Sequence, residues 1–225
     1  MRRLPADPMR FAKLLWPGYT FYKQQREIIY SVRDNDETFV KAGNKLGKDF
    51  TAAFIILWFF LTRHPCRIVT TSVDSTQLEV VLWGEIRRFI QTCHPMYPIE
   101  YSKGMTSGVV INFLHLRKMV DRRIDGLSYV IGRVAAQGEG LQGHHLEWGR
   151  MVDGQRIPHT LFVGDEASSL DDADYNAADT WAHRKLIFGN PLPCTNFYYR
   201  GCKEGDLLAD EKPVWTGAKF GERGL

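Results

Sequence analysis

The chain has 225 residues and is 44% hydrophobic, so it is long enough to bury a sizeable core as one domain. Its 29 Lys and Arg residues against 26 Asp and Glu residues leave a formal net charge of only +3. This balance excludes a strong overall electrostatic field that would attract a polyanion. Any contact with a polyanion must therefore come from local basic patches. The four cysteines contain no CxxC pair, which favours reduced thiols over a zinc site or a disulfide framework.

The longest apolar stretch is Ala52–Leu61, which is shorter than the roughly 18 residues that a membrane-spanning helix needs. We predict that it forms a buried helix. At the amino terminus, the basic pair Arg2 and Arg3 is followed by Pro5 and Asp7 rather than by an apolar run, so no secretory signal is visible.

Alternating strand and helix patterns run along the chain and predict an α/β fold around a largely parallel sheet. The clearest helical pattern is Ser75–Cys93, where Leu78, Leu82 and Ile86 recur at helical spacing. The segment Tyr101–Asp125 breaks the alternation and predicts a hairpin or insertion, with an ordinary solvated loop as the alternative. Strands are predicted at Thr38–Ala42, Arg67–Thr71, Val109–Leu114, Ser128–Val134, Thr160–Asp165 and Lys185–Gly189.

A glycine-containing loop follows the first predicted strand, with the sequence AGNKLGKD. Successive backbone N–H groups in such a loop, together with the positive end of the following helix, form a concave site for a polyphosphate. Lys48 supplies a mobile cation for the outer phosphates, and Gly47 permits close backbone approach. The nucleotide-binding residues predicted here are Ala42, Gly43, Asn44, Lys45, Leu46, Gly47, Lys48 and Asp49.

The loop departs twice from the GxxxxGK-Ser/Thr pattern. Ala42 replaces the first glycine, and Asp49 replaces the hydroxyl residue that normally ligates Mg²⁺. A carboxylate at position 49 can bind magnesium but also repels phosphate. The alternative to a nucleotide site is a glycine-rich turn between a strand and a helix.

Two adjacent carboxylates end the predicted strand TLFVGDE. Asp165 is predicted to hold Mg²⁺, and Glu166 to orient and deprotonate the attacking water. The alternative is that the pair caps the helix that follows.

Asn190 ends the next predicted strand, KLIFGNP. If this strand neighbours the acidic strand, the Asn190 amide lies near the γ-phosphate, whereas the alternative is a simple Asn-Pro turn. Upstream, FYKQQREII carries Gln25, whose amide can read the adenine edge. Gln24 can fill the same role, and the alternative is the face of an amphipathic helix.

The order of these motifs resembles phage terminase large subunits in their amino-terminal ATPase domain. The resemblance covers roughly residues 20–200 and rests on the QRE segment, the deviant phosphate loop, RIVTTSVDSTQLEVVLWGEIRRF, GEGLQGHH, the DE strand and the GNP strand. It implies a P-loop NTPase of the ASCE/RecA-like type, with a sheet flanked by helices and a small lid-like subdomain. It assigns phosphate binding to Lys48, magnesium to Asp165, water activation to Glu166, coupling to Asn190 and adenine contact to Gln25.

The resemblance further implies a ring motor that uses ATP and Mg²⁺ to move double-stranded DNA through a portal protein into a procapsid, with a small terminase subunit as a further partner. Its place would be the cytoplasm of an infected bacterial host, docked on the portal. A ring needs an arginine that reaches the neighbouring subunit's nucleotide. We predict Arg156, with Arg133 and Arg150 as alternatives.

We expect three regions: a helical, adenine-contacting segment (1–36), the ATPase core (37–200) and the start of a linker or lid (201–225). The last region contains no acidic series for a nuclease, so no nuclease activity is expected. Two alternative functions are a helicase-like translocase domain and a nucleotide-binding assembly module with little turnover. Candidates for DNA contact are Arg117, Lys118, Arg122 and Arg123, with a solvated charged face as the alternative.

Overall fold

The computed structural model of the protein describes residues 4–43, 46–135, 140–152 and 154–209. Six α-helices occur in this part of the chain, at Pro8–Leu15 (α1), Lys23–Asp34 (α2), Lys48–Thr62 (α3), Trp83–Gln91 (α4), Asp172–Asp179 (α5) and Phe197–Ala209 (α6). Nine strands accompany them, at Glu37–Lys41 (β1), Arg67–Ser72 (β2), Gly108–Asn112 (β3), His115–Val120 (β4), Arg123–Val134 (β5), Met151–Val152 (β6), Gln155–Arg156 (β7), Thr160–Gly164 (β8) and Arg184–Gly189 (β9).

Seven strands form one sheet in the order β1-β9-β8-β2-β5-β4-β3. The first five strands are parallel to one another, and β4 and β3 extend the sheet as antiparallel strands. The predicted α/β fold with a largely parallel sheet is therefore confirmed. Strand β9, which leads to Asn190, lies between β1, which leads to the phosphate loop, and β8, which leads to Asp165.

Helix α3 explains much of the packing on one face of the sheet. Its residues from Thr51 to Leu61 are all buried, because the helix is apolar on every side and lies between the sheet and other helices. The prediction of a buried helix over Ala52–Leu61 is confirmed. No helix within the described residues is both long and apolar enough to cross a membrane.

The two faces of the sheet are covered unequally. Helices α1 to α4 contribute to a large core on one face, which includes Phe11, Phe54 and Phe89. On the other face, a smaller core around Phe162, Trp181 and Phe197 joins α5, α6 and Leu141 to the strands β1, β9 and β8. On β3 and β4, by contrast, Asn112 and Arg117 are exposed.

The region predicted as one helix over Ser75–Cys93 is divided. A π-helix spans Gln77–Leu82 and α4 follows it directly. Leu78, Leu82 and Trp83 are all fully buried. The wider π-helical turn brings these three positions to one face, where an ordinary α-helix would turn one of them away. The hairpin prediction for Tyr101–Asp125 is confirmed by β3 and β4, which pair antiparallel.

Candidate nucleotide-binding and hydrolysis site

The carboxyl ends of β1, β9 and β8 meet at one edge of the sheet because the three strands are parallel and adjacent. Lys41 on β1 stands opposite Gly189 on β9, and Gly164 on β8 stands opposite Ile187. The residues that follow these strands are the phosphate loop, Asn190 and the Asp165-Glu166 pair. The site residues predicted from three separate motifs are thus delivered to one edge, where open α/β sheets bind ligands.

Lys48 forms the centre of this edge. Its Nζ donates to Asp165 Oδ1 at 3.2 Å and to Glu166 Oε1 at 3.0 Å, and Asp49 Oδ1 lies 3.8 Å away. The side chains of Lys48 and Asp165 are 8% and 1% exposed, whereas that of Glu166 is 13% exposed. The first turn of α3 is therefore tied to the end of β8 by a largely buried ion cluster.

The electrostatics of this cluster are unbalanced, because three carboxylates face one ammonium group. Burial raises the pKa of Asp165 to about 6 in spite of the neighbouring Lys48 ammonium. Burial also raises the pKa of Asp49 above its ordinary value, again against the attraction of Lys48. Burial alone would lower the pKa of Lys48, but Asp165, Asp49 and Glu166 together raise it. The edge is therefore suited to receive additional positive charge.

The phosphate loop reaches α3 through Gly47, which has a left-handed backbone with φ 76° that glycine adopts readily. The Thr51 hydroxyl donates to the Gly47 carbonyl at 2.9 Å, so Thr51 is used within the helix and does not replace the missing hydroxyl at position 49. Asn44 and Lys45 lie outside the described residues. Ala42 is buried, and its N–H donates to the Gly189 carbonyl at 3.1 Å, whereas Leu46 is 40% exposed.

Gln25 lies against this loop rather than in open space. Its side chain is 4% exposed, and its Oε1 accepts from the Tyr22 N–H at 3.0 Å as part of the amino-terminal cap of α2. Gln24 is half-buried and Tyr22 is 71% exposed. The structure thus brings Gln25 to the phosphate loop, and its contact with adenine stays a prediction.

Glu166 has an unusual backbone. Its φ is 50° and its ψ is 44°, in the left-handed region, and its N–H donates to Asp165 Oδ1 at 2.7 Å. Gly189 makes room for this turn, because a Cβ atom at position 189 would stand 2.8 Å from the Ala167 nitrogen. A non-glycine residue held in this conformation is strained, and such strain is common at functional sites.

Three buried hydroxyls at or near this edge, those of Thr71, Ser72 and Ser168, were not recognised from the sequence, whereas Asp49 was. Asp49 Oδ1 and the hydroxyls of Thr71, Ser72 and Ser168 accept or donate no hydrogen bond among the described residues. Thr71 and Ser72 end β2, and the Thr71 carbonyl accepts from the Asp165 N–H at 2.9 Å. The TTS sequence at the end of a strand was the available signal. Such unsatisfied groups require partners such as water or an ion.

These features fit ATP and Mg²⁺. The edge has an excess of carboxylates, unsatisfied buried oxygens and a lysine that can reach phosphates. No group of three His, Cys, Asp or Glu side chains in the described ranges forms a ready metal site. Proteins commonly hold Mg²⁺ through one or two carboxylates together with the phosphates of the substrate, and Asp49 and Asp165 would supply those carboxylates here.

The candidate arginines lie in different parts of the fold: Arg133 is in the seven-stranded sheet, and Arg156 is in a separate two-stranded sheet formed by β6 and β7. Arg133 is exposed on β5 opposite Thr71, at the edge that carries Asp165. Arg156 is exposed on β7, shortly before β8 begins. Arg150 is also exposed, and its carbonyl accepts from the Ile157 N–H at 3.3 Å. Arg133 is therefore the candidate at the same edge as Lys48.

The four basic candidates for DNA contact differ in their exposure to solvent. Arg117, Arg122 and Arg123 are exposed on the antiparallel part of the sheet. Lys118 is 4% exposed, its Nζ donates to the Arg63 carbonyl, and it lies 4.7 Å from the centre of the Phe60 ring. Lys118 is thus a buried residue that satisfies the carboxyl end of α3, so both the prediction of DNA contact and its alternative, a solvated face, are wrong for this residue.

The strand order, the loop before α3 and the acidic residues after β8 define a P-loop NTPase fold of the RecA-like type. No protein-family model and no curated protein matches the sequence. Among solved structures, the ATPase domain of the large terminase of Thermus phage P74-26 matches with a TM-score of 0.63 at 18% identity, over 87% of this chain and 74% of that chain. The fold of this chain is therefore that of phage large terminase ATPase domains.

Two further large terminases have the same fold. That of bacteriophage HK97 matches with a TM-score of 0.55 at 12% identity, over 89% of this chain and 40% of its own. That of a thermophilic bacteriophage, in complex with ATP-gamma-S, matches with a TM-score of 0.57 at 14% identity, over 90% of this chain and 44% of its own. The chain thus spans less than half the length of these two terminases.

Proposed function

We propose that the chain is the ATPase domain of a viral DNA-packaging motor, which couples Mg²⁺-dependent ATP hydrolysis to translocation of double-stranded DNA into a procapsid. The observation that carries this proposal is the convergence of Lys48, Asp165 and Glu166, with contacts of 3.2 and 3.0 Å between the start of α3 and the end of β8. The bound ATP-gamma-S in one terminase of the same fold supports nucleotide binding at this edge.

In the proposed reaction, Lys48 exchanges its carboxylate partners for the outer phosphates of ATP. Asp165 holds the metal ion, which when bound offsets the charge of the phosphates. Glu166 is the more exposed carboxylate and is placed by its left-handed turn to orient water and accept its proton. Asp49, at the start of α3, supplies a second carboxylate for the metal. Asn190 at the end of β9 lies between the two loops and links hydrolysis to movement.

The test is steady-state ATP hydrolysis with and without Mg²⁺, using Lys48→Ala and Glu166→Gln. Both substitutions are expected to lower turnover by a hundredfold or more, roughly the effect of removing a main electrostatic group or a catalytic base. Lys13→Ala and Glu100→Gln serve as controls because both side chains are exposed. If turnover in the two site variants equals that of the controls, the proposed site is wrong.

The trans-acting arginine can be located in the same assay. We propose that Arg133 is a stronger candidate than Arg156, because it shares the sheet edge of the site. Turnover per subunit should rise with protein concentration if a neighbour completes the site, and Arg133→Ala should remove that rise. If the rise persists in Arg133→Ala but disappears in Arg156→Ala, Arg156 is the trans-acting arginine and the ranking of the two is wrong.

Double-stranded DNA, a portal protein, a small terminase subunit and a homo-oligomeric ring are the proposed partners, and the cytoplasm of an infected bacterium is the proposed location. The second candidate function is a nucleotide-binding assembly module, which the presence of Asp49 beside Lys48 favours because its carboxylate repels phosphate. Asp49→Ser separates the two. Nucleotide binding without turnover in the natural chain, with turnover gained in Asp49→Ser, would support the assembly module.

A further inference from the structure

The uncovered face of the antiparallel strands carries a set of side chains that the nucleotide site does not use. Arg117 pairs with Val110 on β3 and with Tyr129 on β5, while His115 pairs with Asn112 and Ile131. Residues directly opposite each other across paired strands share a face. These side chains therefore stand together, on the face that α5 and α6 leave open.

Among the described residues of β3, β4 and β5, the charged side chains on this face are positive. Arg117 and Arg133 are exposed on it. The nearest acid on β5, Asp125, is turned away and contacts the His64 ring at 3.2 Å. Strands β2 and β8 bring no carboxylate to this face either. A surface of this kind is complementary to an anionic partner.

A cavity of about 260 Å³ opens on the same face. Val110 and Ile124 supply apolar walls, and Asn112, His115 and Arg117 supply polar groups. Arg117 Nε donates to His115 Nε2 at 3.1 Å, and this is the only hydrogen bond of that guanidinium among the described residues. Its two terminal nitrogen atoms are therefore available to a ligand.

The surroundings of the histidine in this cavity favour its neutral form. Burial lowers the pKa of His115, and the nearby Arg117 and Arg133 lower it further. A neutral imidazole can accept the Arg117 hydrogen bond with one nitrogen and offer the other to a ligand. The cavity thus combines a flat ring, an amide, a guanidinium and apolar walls, which are the groups that recognise a nucleobase and its phosphate.

We propose that this face binds single-stranded nucleic acid, with one unpaired base in the cavity and a flanking phosphate on Arg117. A duplex presents its phosphate backbone to a flat basic surface. Contact with that backbone does not require a cavity with apolar walls. The inference extends the proposed DNA-motor function, because it assigns this domain a contact with an unstacked strand in addition to duplex.

The experiment is fluorescence anisotropy without nucleotide, so its outcome does not depend on ATP hydrolysis. A short labelled thymidine oligonucleotide, a duplex of the same length and a polyglutamate peptide are compared at several salt concentrations. The single strand is expected to bind more tightly than the duplex. Arg117→Glu should weaken single-strand binding by about tenfold or more and lower the salt dependence by about one phosphate contact.

A second variant tests the cavity without changing charge. Val110→Phe fills it from the edge strand and should remove the preference for single strand over duplex while leaving duplex binding unchanged. Lys13→Glu on α1 is the matched control for Arg117→Glu, since it makes the same change of charge on an exposed side chain. Thermal unfolding of each variant establishes that the fold is intact.

The proposal is overturned if the duplex binds as tightly as the single strand, or if the Val110→Phe variant keeps the full preference. It is likewise overturned if the polyglutamate peptide competes with the single strand at equal charge and Arg117→Glu weakens both equally, since that result indicates an acidic protein partner.

Discussion

The Nε2 atom of Gln25 lies 2.8 Å from the point at which a Cβ atom on Gly47 would stand. The glutamine that caps α2 therefore packs directly against the phosphate loop where that loop enters α3. Any side chain at position 47 must displace this amide and also adopt a left-handed backbone.

Gly47→Ala is expected to destabilise the protein by ~1–2 kcal/mol from the left-handed backbone alone, with a further loss from the displaced Gln25 amide. Urea denaturation measures the free energy of unfolding. In the Gln25→Ala background no amide is left to displace, so Gly47→Ala should then cost only the contribution of the left-handed backbone. The effects of the two substitutions are therefore not additive. Gly18→Ala is the control, because a Cβ atom there has no neighbour within 4 Å, and it should change stability little.

Asp165→Asn is expected to stabilise the nucleotide-free protein while it abolishes metal-dependent turnover. The pKa of Asp165 is raised from 3.8 to about 6, so the folded state binds this proton more tightly than the unfolded state. The contribution of this proton to stability is full below pH 4 and is lost as the pH rises through about 6. At pH 7 the natural protein is thus expected to be less stable than a protein with a neutral group at this position.

Unfolding curves of the natural chain and Asp165→Asn should accordingly differ at pH 7 and converge near pH 4. A variant that is less stable than the natural chain at pH 7 would show that the Lys48 contact outweighs the burial of the carboxylate.

Gly189→Ala should lower the turnover number without a comparable change in KM. Its new Cβ atom would meet the Ala167 nitrogen at 2.8 Å and displace the turn that holds Glu166. A displacement of about 1 Å at a catalytic group can reduce the rate about a hundredfold. Gly126→Ala on β5 has no such neighbour and should keep full turnover. Unchanged turnover in Gly189→Ala would mean that the position of Glu166 is not critical.

At the opposite edge of the sheet, His183 should make the stability of the protein decrease on acidification. Its ring stacks on Trp148 with centroids 4.1 Å apart, and its Nδ1 accepts from the His159 N–H at 3.0 Å. Burial, with help from His159 and Arg184, lowers the pKa of His183 to about 4. The neutral ring therefore contributes stability above its ordinary pKa of about 6.5, and this contribution is lost as the pH falls towards 4.

Tryptophan fluorescence should report this change, because protonation of His183 alters the environment of the Trp148 ring. The signal is expected around pH 4, where the ring in the folded protein takes up its proton, and it should be absent in Trp148→Phe and in His183→Asn. If either variant retains the full change, the titrating group lies elsewhere.

The sequence predicted the architecture because each strand was marked by its apolar pattern and each site residue followed directly after a strand. The meeting of Lys48, Asp165 and Glu166 followed from that placement. The sequence could not predict that Lys118 is buried. Lys118 stands in a charged run, and its partner is the carbonyl of Arg63, which follows α3 far away in the chain.

Two other features also depend on tertiary contacts. The π-helix at Gln77–Leu82 is formed because Leu78, Leu82 and Trp83 must all reach the core, and the periodicity over Ser75–Cys93 indicated an ordinary α-helix. The unsatisfied hydroxyls of Thr71 and Ser72 become visible only when β2 is seen beside β8.

The Tyr198 hydroxyl on α6 lies 3.0 Å from the Val40 carbonyl and 2.7 Å from the Gly189 carbonyl. One phenol thus joins the strand before the phosphate loop to the strand before Asn190, and its hydrogen can be donated to only one of the two carbonyls at a time. A pull or twist applied along α6 would reach both strands at the position where they approach the nucleotide edge. Helix α6 thus couples the positions of the two strands that lead to the candidate site.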